Sequence, residues 1–176
     1  MDTEYVTRPS SSEHASYFGR YIGLVEGGLF SALSSEFEKT QTLLSRVSEE
    51  RSLFRYAAGK WSIREVVGHL IDTERIFLYR ATRFARGDET DLPGFDENLY
   101  VANASFDRVP LAQLLDEFSL VRRGTIHFFS HLTPESWDRS GLASGNRMSV
   151  RAWAWTIAGH EIHHRGVLTE RYLAQG

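Results

Sequence analysis

The last long helical stretch of the chain is Val150-Arg-Ala-Trp-Ala-Trp-Thr-Ile-Ala-Gly-His160-Glu-Ile-His-His164-Arg-Gly-Val-Leu-Thr-Glu-Arg-Tyr-Leu173. Its apolar residues recur every three or four positions, which is typical of a helix that lays one face on a core. They are Val150, Trp153, Ile157, Val167 and Leu168. When this spacing is continued through the gap between Ile157 and Val167, it falls on His160 and His164. Two imidazoles therefore occupy positions where the pattern calls for buried aliphatic side chains.

The spacing of these two histidines allows both rings to point at one atom. Residues four apart lie about 40° apart around a helix and one turn along it. A helix offers two nitrogens to a metal ion in this way, and neutral imidazole is the commonest metal ligand. The alternative is a hydrogen-bonded pair of core histidines. His127 and His131 have the same spacing and compete as a site, but their place near a helix end predicts a structural role.

The composition is that of a soluble globular protein, and it narrows the chemistry. A chain of 176 residues is long enough to bury one core, and its 41% hydrophobic and 24% charged content is ordinary for a globular domain. A net charge of −3 and a pI near 6.2 give no strong field for nucleic acid or an anionic membrane. Because the chain has no cysteine, any metal ligands must be His, Asp or Glu. Without a signal sequence or a membrane-spanning run, a cytoplasmic protein is expected.

Residues 1–12 are predicted to form a flexible N-terminal tail, and residues 13–176 a single domain. Residues 17–25 are apolar at helical spacing but rich in glycine, which predicts a surface arm with a short helical turn. The first long helix is predicted at residues 29–46. The second begins at a capping box, Ser62-Ile-Arg-Glu65, continues to Gly87 and carries a further histidine, His69.

A polar loop at residues 88–109 connects the second predicted helix to the third, and a connection of this length is more often functional than accidental. The third helix is predicted from about 110 to 131, residues 141–146 as a flexible link, and Ser149 as the cap of the fourth helix. No stretch shows the alternating pattern of strands. The sequence thus predicts an all-α protein: a four-helix bundle with a long crossover loop between helices 2 and 3 and short extra helical turns.

The segment from His160 to His164 also matches the His-Glu-x-x-His signature of zinc proteases, in which Glu161 would be the general base. Such proteases need a third ligand further along the chain. Glu170 lies only one and a half turns beyond His164 on the same helix and is badly angled to reach the ion. The few residues that follow His164 cannot supply a returning helix. The geometry therefore excludes this reading, and a third ligand must come from another helix.

The residues around the candidate ligands form three motifs: Trp61-Ser-Ile-Arg-Glu65, Gly68-His69-Leu-Ile-Asp72-Thr-Glu-Arg75 and Gly159-His160-Glu-Ile-His-His164-Arg-Gly166. Together they resemble the DinB-like (DinB/YfiT) superfamily of metalloenzymes. The segment Pro93-Gly-Phe-Asp96 is similar to its DinB_2-type branch, and the resemblance covers nearly the whole chain. It implies a four-helix bundle that binds one divalent ion, commonly zinc or nickel, through three histidines. The matching positions are His69, His160 and His164, and His163 is left out.

Three protein ligands leave a coordination position open, which is typical of a catalytic ion. Such an ion activates a water molecule or a bound thiol. The resemblance accordingly implies a hydrolase or a thiol-dependent S-transferase that acts on a small molecule, with a low-molecular-weight thiol as candidate co-substrate. Asp72, Glu161 and Asp96 are the candidate catalytic residues, although Asp72 and Glu161 are expected more often to orient the imidazoles or to be solvated charges.

The alternative function is a non-catalytic metal-binding or dimerisation module of a stress response. A homodimer is compatible with the pattern because related bundles pair through helices. Trp155 falls on a different side of the last helix from Trp153 and is a candidate subunit contact. The acidic balance argues against nucleic acid as a partner, and no membrane partner is expected.

Overall fold

The structure of the protein, a computed structural model, describes residues 6–174, which are mostly helical. The α-helices are α1 (Ser16–Ile22), α2 (Leu29–Leu44), α3 (Ile63–Ala85), α4 (Glu97–Ala104), α5 (Leu111–Ser130), α6 (Pro134–Asp138) and α7 (Val150–Val167). Short 3₁₀ turns form at Arg51–Leu53 and Phe106–Arg108, and a π-helical segment, Leu168–Leu173, continues α7. The strands β1 (Ser140–Ala143) and β2 (Asn146–Ser149) pair in antiparallel register. Within residues 6–174, no helix combines the length and apolarity needed to cross a bilayer.

Four long helices, α2, α3, α5 and α7, form a four-helix bundle, as the sequence predicts. α3 packs against both α7 and α5, and α2 packs against the same two helices. α2 and α3 therefore lie diagonally opposite each other, as do α5 and α7. The start of α3 is fixed by the predicted capping box. Ser62 Oγ accepts from the Glu65 N–H at 3.0 Å, and the Ser62 N–H donates to Glu65 Oε2 at 2.8 Å.

Two apolar clusters lie along α7 and its extension. One contains Trp153 and Ile157 near the start of the helix, and the other contains Leu168 and Tyr172 near its end. All four side chains are at most 2% exposed. Full burial of such a side chain stabilises the fold by about 1.5–3 kcal/mol. The clusters thus hold α7 in register against its neighbours, and the segment that carries the histidines lies between them.

The N-terminal arm is more regular than the sequence predicts. Instead of a surface arm with one short turn, residues 16–22 form α1, which packs against α7. Tyr21 and Ile22 are buried in that contact. The glycine content of the segment lowers its intrinsic helix propensity, and tertiary packing outweighs that effect.

Two other connections differ from the prediction. The crossover at residues 88–109, predicted as a polar loop, contains the helix α4 and a 3₁₀ turn. The prediction of a flexible link at residues 141–146, with no strand in the chain, is wrong because this segment forms the β1–β2 hairpin. Its turn residues, Ser144 and Gly145, have φ angles of 53° and 73°. Two consecutive positive φ angles match the twist of an antiparallel pair, so the hairpin closes in a two-residue loop.

Trp155 is a core residue rather than a subunit contact. Its side chain is 3% exposed, and the Arg8 guanidinium lies 4.9 Å from the centroid of its ring. Arg8 Nη1 also donates to the Ile22 carbonyl at 2.8 Å. The described part of the predicted tail therefore contacts the bundle, whereas residues 1–5 of that tail lie outside the described residues.

Candidate metal centre

Three imidazoles from two neighbouring helices meet inside the bundle. α7 contributes His160 and His164, one turn apart, and α3 contributes His69. The Nε2 atom of His160 lies 3.2 Å from His69 Nε2 and 3.1 Å from His164 Nε2. One nitrogen of each ring lies within 4.8 Å of the other two, so the cluster could hold a metal ion. The structure thus brings together the three histidines that the sequence singles out.

Burial keeps these rings in the neutral form. His69 and His160 are each 7% exposed, and His164 is half-buried. Burial lowers the pKa of His69 to about 4. It also lowers the pKa of His160 and His164 well below the usual 6.5, and the neighbouring histidines lower both further. Because neutral imidazole is the form that binds a metal, the cluster needs no deprotonation at neutral pH.

The donor set fits a divalent ion better than it fits a hydrogen-bonded cluster. A neutral Nε2 offers either one proton or one lone pair, so the two contacts of His160 Nε2 cannot both be well-formed hydrogen bonds. A cation accepts all three lone pairs. Bonds of about 2.1 Å place nitrogens about 3.4 Å apart in a tetrahedral site and about 3.0 Å apart on an octahedral face. The observed 3.1 and 3.2 Å fall between these values and are compatible with either geometry.

Neighbouring side chains hold the rings in place. His69 Nδ1 lies 3.3 Å from Thr73 Oγ1, one turn along α3. If Nδ1 donates to this hydroxyl, Nε2 keeps its lone pair for a ligand bond. The Tyr21 ring of α1 meets the His160 ring edge-on at 5.3 Å between centroids. This approach depends on Gly159, because a Cβ atom there would lie 1.9 Å from the Tyr21 carbonyl oxygen.

The histidines line a cavity of about 250 Å³, which we call the histidine cavity. Aromatic side chains form much of its wall: Tyr17, Phe18, Tyr21, Trp61, Phe77 and Phe95. Its other residues are polar: Thr73, Arg80, Glu97, Ser144 and His163, besides the three clustered histidines. His164 and Trp61 also line a second cavity of about 240 Å³. The arrangement offers an apolar chamber with a few polar groups at defined places, which suits a small molecule.

The three predicted catalytic carboxylates lie outside the lining of the histidine cavity. Asp72 is partly exposed on α3, and its Oδ1 lies 3.7 Å from Arg75 Nη1. Asp96 caps α4, where its Oδ1 accepts from the backbone N–H groups of Asn98 and Leu99 at 2.9 and 3.1 Å. The structure therefore gives Asp72 a surface ion pair and Asp96 a capping role, and it brings neither to the imidazoles.

Glu161 lies in a buried ion triad on the core side of α7. Arg122 of α5 donates to Glu161 Oε2 and, through Nε and Nη2, to both carboxylate oxygens of Glu74 at 2.9 and 2.7 Å. Arg122 and Glu161 are each 1% exposed. Burial works against the charge of Arg122, but the two carboxylates outweigh it and raise its pKa above the usual value. Glu161 thus links α7 to α5 and, through Arg122, to α3.

Three residues of the site were missed by sequence reasoning. His163 was placed off the inward face of α7, but it lines the histidine cavity and contacts the Tyr21 ring at 5.4 Å between centroids. Burial, with a smaller contribution from Arg20, lowers the pKa of His163. Arg80 and Glu97 also line the cavity. Arg80 had a usable signal, since it lies eleven residues after His69 and thus on the same face of α3.

The second histidine pair forms no comparable centre. His127 and His131 are exposed at the end of α5, with their Nδ1 atoms 3.0 Å apart. Among the described residues, no third His or carboxylate joins them in a cluster. His131 closes the last turn of the helix, which agrees with a structural role.

The family follows from a comparison with known sequences. The profile described as the DinB superfamily matches residues 32–168, most of the chain. The chain belongs to the DinB superfamily. A relative in Oceanobacillus iheyensis, named "putative metal-dependent hydrolase", is 24% identical over 123 residues, which are 69% of this chain and 70% of the relative. The resemblance inferred from the three motifs is thereby confirmed.

Solved structures of similar proteins share the fold of this DinB superfamily member. YfiT from Bacillus subtilis, described as a probable metal-dependent hydrolase with an unusual four-helix bundle topology, aligns with a TM-score of 0.72 at 16% identity. The alignment covers 97% of this chain and 94% of YfiT. A DinB-like protein from Bacillus cereus aligns with a TM-score of 0.65 at 18% identity over 85% of this chain and 91% of its own. These likenesses establish the four-helix bundle.

Proposed function

We propose that this protein is a metal-dependent enzyme that acts on a small molecule, with a divalent ion held by His69, His160 and His164. The observation that carries the proposal is the convergence of three neutral Nε2 atoms, two from buried histidines and one from the half-buried His164, at the wall of an open cavity. Zinc and nickel are the proposed ions. The names of the relatives favour hydrolysis, and the transfer of a group to a low-molecular-weight thiol is the second proposed reaction of the same site.

When bound, a divalent ion supplies Lewis acidity, which activates a water molecule or a thiol and polarises an electrophile. The residues of the chain supply position and environment. Thr73 fixes the His69 ring, and Tyr21 packs against His160. Burial raises the pKa of Tyr21 to about 12, so its hydroxyl stays protonated and can donate a hydrogen bond. The aromatic side chains of the wall lower the local dielectric constant, which strengthens electrostatic interactions inside the cavity.

Element analysis of protein purified without an affinity tag tests the ligand set. We expect about one divalent ion per chain in the wild type and a large loss of metal in His160→Ala. The matched control is His163→Ala, which removes a neighbouring imidazole of the same helix that lies outside the cluster and should retain the ion. Full metal content in His160→Ala, or an equal loss in both variants, would contradict the three-histidine site.

A turnover assay tests the reaction. Metal-loaded protein is incubated with a panel of esters and amides, and separately with a haloaromatic electrophile plus cellular thiols. We expect product from one of these panels, abolished in His160→Ala and retained in His127→Ala, whose imidazole is exposed outside the cavity. A protein that holds its metal but converts no substrate would favour the non-catalytic module.

The cellular setting is a separate proposal. We propose a cytoplasmic homodimer, supported by the absence of cysteine and by the pairing that helical bundles commonly use. Sedimentation equilibrium of the full chain measures the oligomeric state. A monomer at concentrations of tens of micromolar would contradict it.

A further inference from the structure

Arg80 is a buried cation that no carboxylate of the described residues pairs with. Arg80 is 3% exposed, and it lines the histidine cavity from α3. The ion pairs found within residues 6–174 do not include it, in contrast to Arg122, whose charge is matched by two glutamates. Burial lowers the pKa of Arg80. The Arg80 guanidinium lies 5.2 Å from the centroid of the Trp153 ring and 5.7 Å from that of Phe95, so aromatic faces compensate part of its charge. A buried charge is costly unless it is also paired, so a guanidinium with no carboxylate partner among the described residues is a candidate anion-binding group.

Only part of the hydrogen-bonding capacity of Arg80 is used by the protein. Nη2 donates to the Pro93 carbonyl at 2.8 Å and to Ser144 Oγ at 3.1 Å. A guanidinium has five N–H groups, so those on Nε and Nη1 remain without an acceptor in the described chain. Both nitrogens retain some accessible surface, so a ligand can reach them. The guanidinium is thus fixed by the crossover and the hairpin turn, with donors left over.

The position of Arg80 relates it to the histidines. Eleven residues, about three helical turns, separate it from His69, so both lie on one face of α3 with about 16 Å between Cα atoms. Side chains of a helix lean toward its N-terminus, so the guanidinium extends back in the direction of His69. Phe77 lies between them on the same face and lines the cavity. The cavity therefore has three imidazoles toward one end, an apolar middle and a cation toward the other end.

We propose that Arg80 binds a carboxylate of the substrate, so that substrates combine a reactive group at the histidines with a carboxylate beyond an apolar segment. This inference rests on the proposed function, because the histidines are taken as the reacting end. Glu97 lines the same cavity and is exposed. The donors left on Nε and Nη1 suit the oxygens of a carboxylate, an acceptor that arginine commonly binds through charge-assisted hydrogen bonds.

Two thiol probes of equal length test the proposal on the cobalt(II)-loaded protein: 6-mercaptohexanoate and 6-mercaptohexanol. Coordination of either thiolate is followed by its thiolate-to-cobalt absorption band. A charge-assisted hydrogen bond in a buried site corresponds to about ten- to hundredfold in affinity. We expect the acid to bind that much more tightly than the alcohol in the wild type, and both to bind equally in Arg80→Met. Arg80→Lys should keep part of the preference.

Equal affinities of acid and alcohol in the wild type, or a preference that survives in Arg80→Met, would overturn the role of Arg80. A preference for the corresponding phosphate ester over the carboxylate would also overturn it. Circular dichroism checks that Arg80→Met folds. If it does not, Arg80→Gln replaces it, because its amide can still donate to the Pro93 carbonyl.

Binding of hexanoate and hexanol to chelator-treated protein separates this proposal from the proposed function. Isothermal titration calorimetry should show the same preference for the acid in the metal-free wild type, lost in Arg80→Met. If neither thiol gives a cobalt band but this preference is found, the metal function fails and the carboxylate site stands. If both thiols coordinate with equal affinity, the carboxylate site fails and the metal function stands.

Discussion

The candidate centre depends on where single side chains fall on their helices. His160 and His164 were found from sequence because a helix places residues four apart on one face, and the apolar pattern of α7 showed which face is buried. His69 was found only through the resemblance, since the helical period does not tell which residue of α3 faces which residue of α7. Glu161 illustrates the same gap: its partners, Arg122 and Glu74, lie far away in sequence and meet it only in the folded bundle.

Acid should destabilise the metal-free protein through His69. Its pKa is about 4 in the folded state and 6.5 in the unfolded chain, so the unfolded chain binds the proton first as the pH falls. The unfolding free energy is at its full value above pH 6.5, where His69 is neutral in both states. It falls between pH 6.5 and about 4, where only the unfolded chain binds the proton. The loss amounts to about 3 kcal/mol. Urea unfolding of chelator-treated wild type and His69→Asn over this range measures it, and equal slopes in the two proteins would contradict the assignment.

Removal of the arginine at the centre of the buried triad should be severely destabilising. In Arg122→Ala, Glu74 and Glu161 are left as buried carboxylates without their cation, which costs about 3–5 kcal/mol of unfolding free energy. The matched control is Arg75→Ala, because Arg75 is 49% exposed and its pairs with Asp72 and Glu117 lie at the surface. That change should cost less than about 1 kcal/mol. Similar urea midpoints for the two variants would refute the structural role of the triad.

At the scale of elements, helix starts could be predicted and packing-dependent segments could not. Ser62 and Ser149 were identified as caps because capping depends on a few adjacent residues. α1 was underestimated because its stability comes from contact with α7. The hairpin was missed because four-residue strands are too short for an alternating pattern, although the Ser144-Gly145 pair is a turn signal. Asp96 was interpreted as a catalytic candidate, whereas an Asp at this place also predicts the start of a helix such as α4.

The contact between α1 and α7 should be sensitive to one methyl group. In Gly159→Ala, the new Cβ would lie 1.9 Å from the Tyr21 carbonyl oxygen, so α1 must move away. We expect a loss of about 1–3 kcal/mol in unfolding free energy, typical of overpacking. Gly166→Ala is the control on the same helix, since among the described residues no atom outside the adjacent helix backbone lies within 4 Å of its added Cβ. That variant should be neutral or up to about 1 kcal/mol more stable, because alanine favours the helix.

Both effects are measured by urea unfolding, with near-ultraviolet circular dichroism as a report on the aromatic packing around Tyr21. If Gly159→Ala unfolds at the wild-type midpoint with an unchanged aromatic spectrum, the close contact between the two helices is refuted.

On the scale of the whole molecule, the number of long helices and the long crossover could be predicted from the period of the apolar residues and the lengths of the connections. The neighbours of each helix could not, because amphipathic patterns show which face is buried but not against which partner. The histidine cavity has the same limit. Its wall combines α1, residues 69–80 of α3, residues 95–97 at the start of α4, the hairpin turn and α7, and only the folded chain brings these parts together.

A bound ion should stabilise the entire bundle, because its proposed ligands join α3 to α7. Free metal at about one hundred times its dissociation constant adds about 2.7 kcal/mol to the unfolding free energy. For a chain of this length, that corresponds to a rise of about 5–10 °C in Tm. Scanning calorimetry before and after chelation measures the shift. We expect the shift to disappear in His160→Ala and to remain in His163→Ala. A wild-type Tm that is the same before and after chelation would contradict metal binding to the folded state.

The absence of a side chain at Gly159 can also help to interpret the sequences of distant relatives. A side chain at position 159 would push away α1, whose Tyr21 covers the His160 ring. A glycine directly before the first of the two spaced histidines therefore indicates the same helix contact in distantly related sequences. Chains that keep the spaced histidines but carry a bulkier residue at this position should have an uncovered, wider chamber. The chamber of such proteins is expected to have room for larger molecules than the 250 Å³ cavity of this protein.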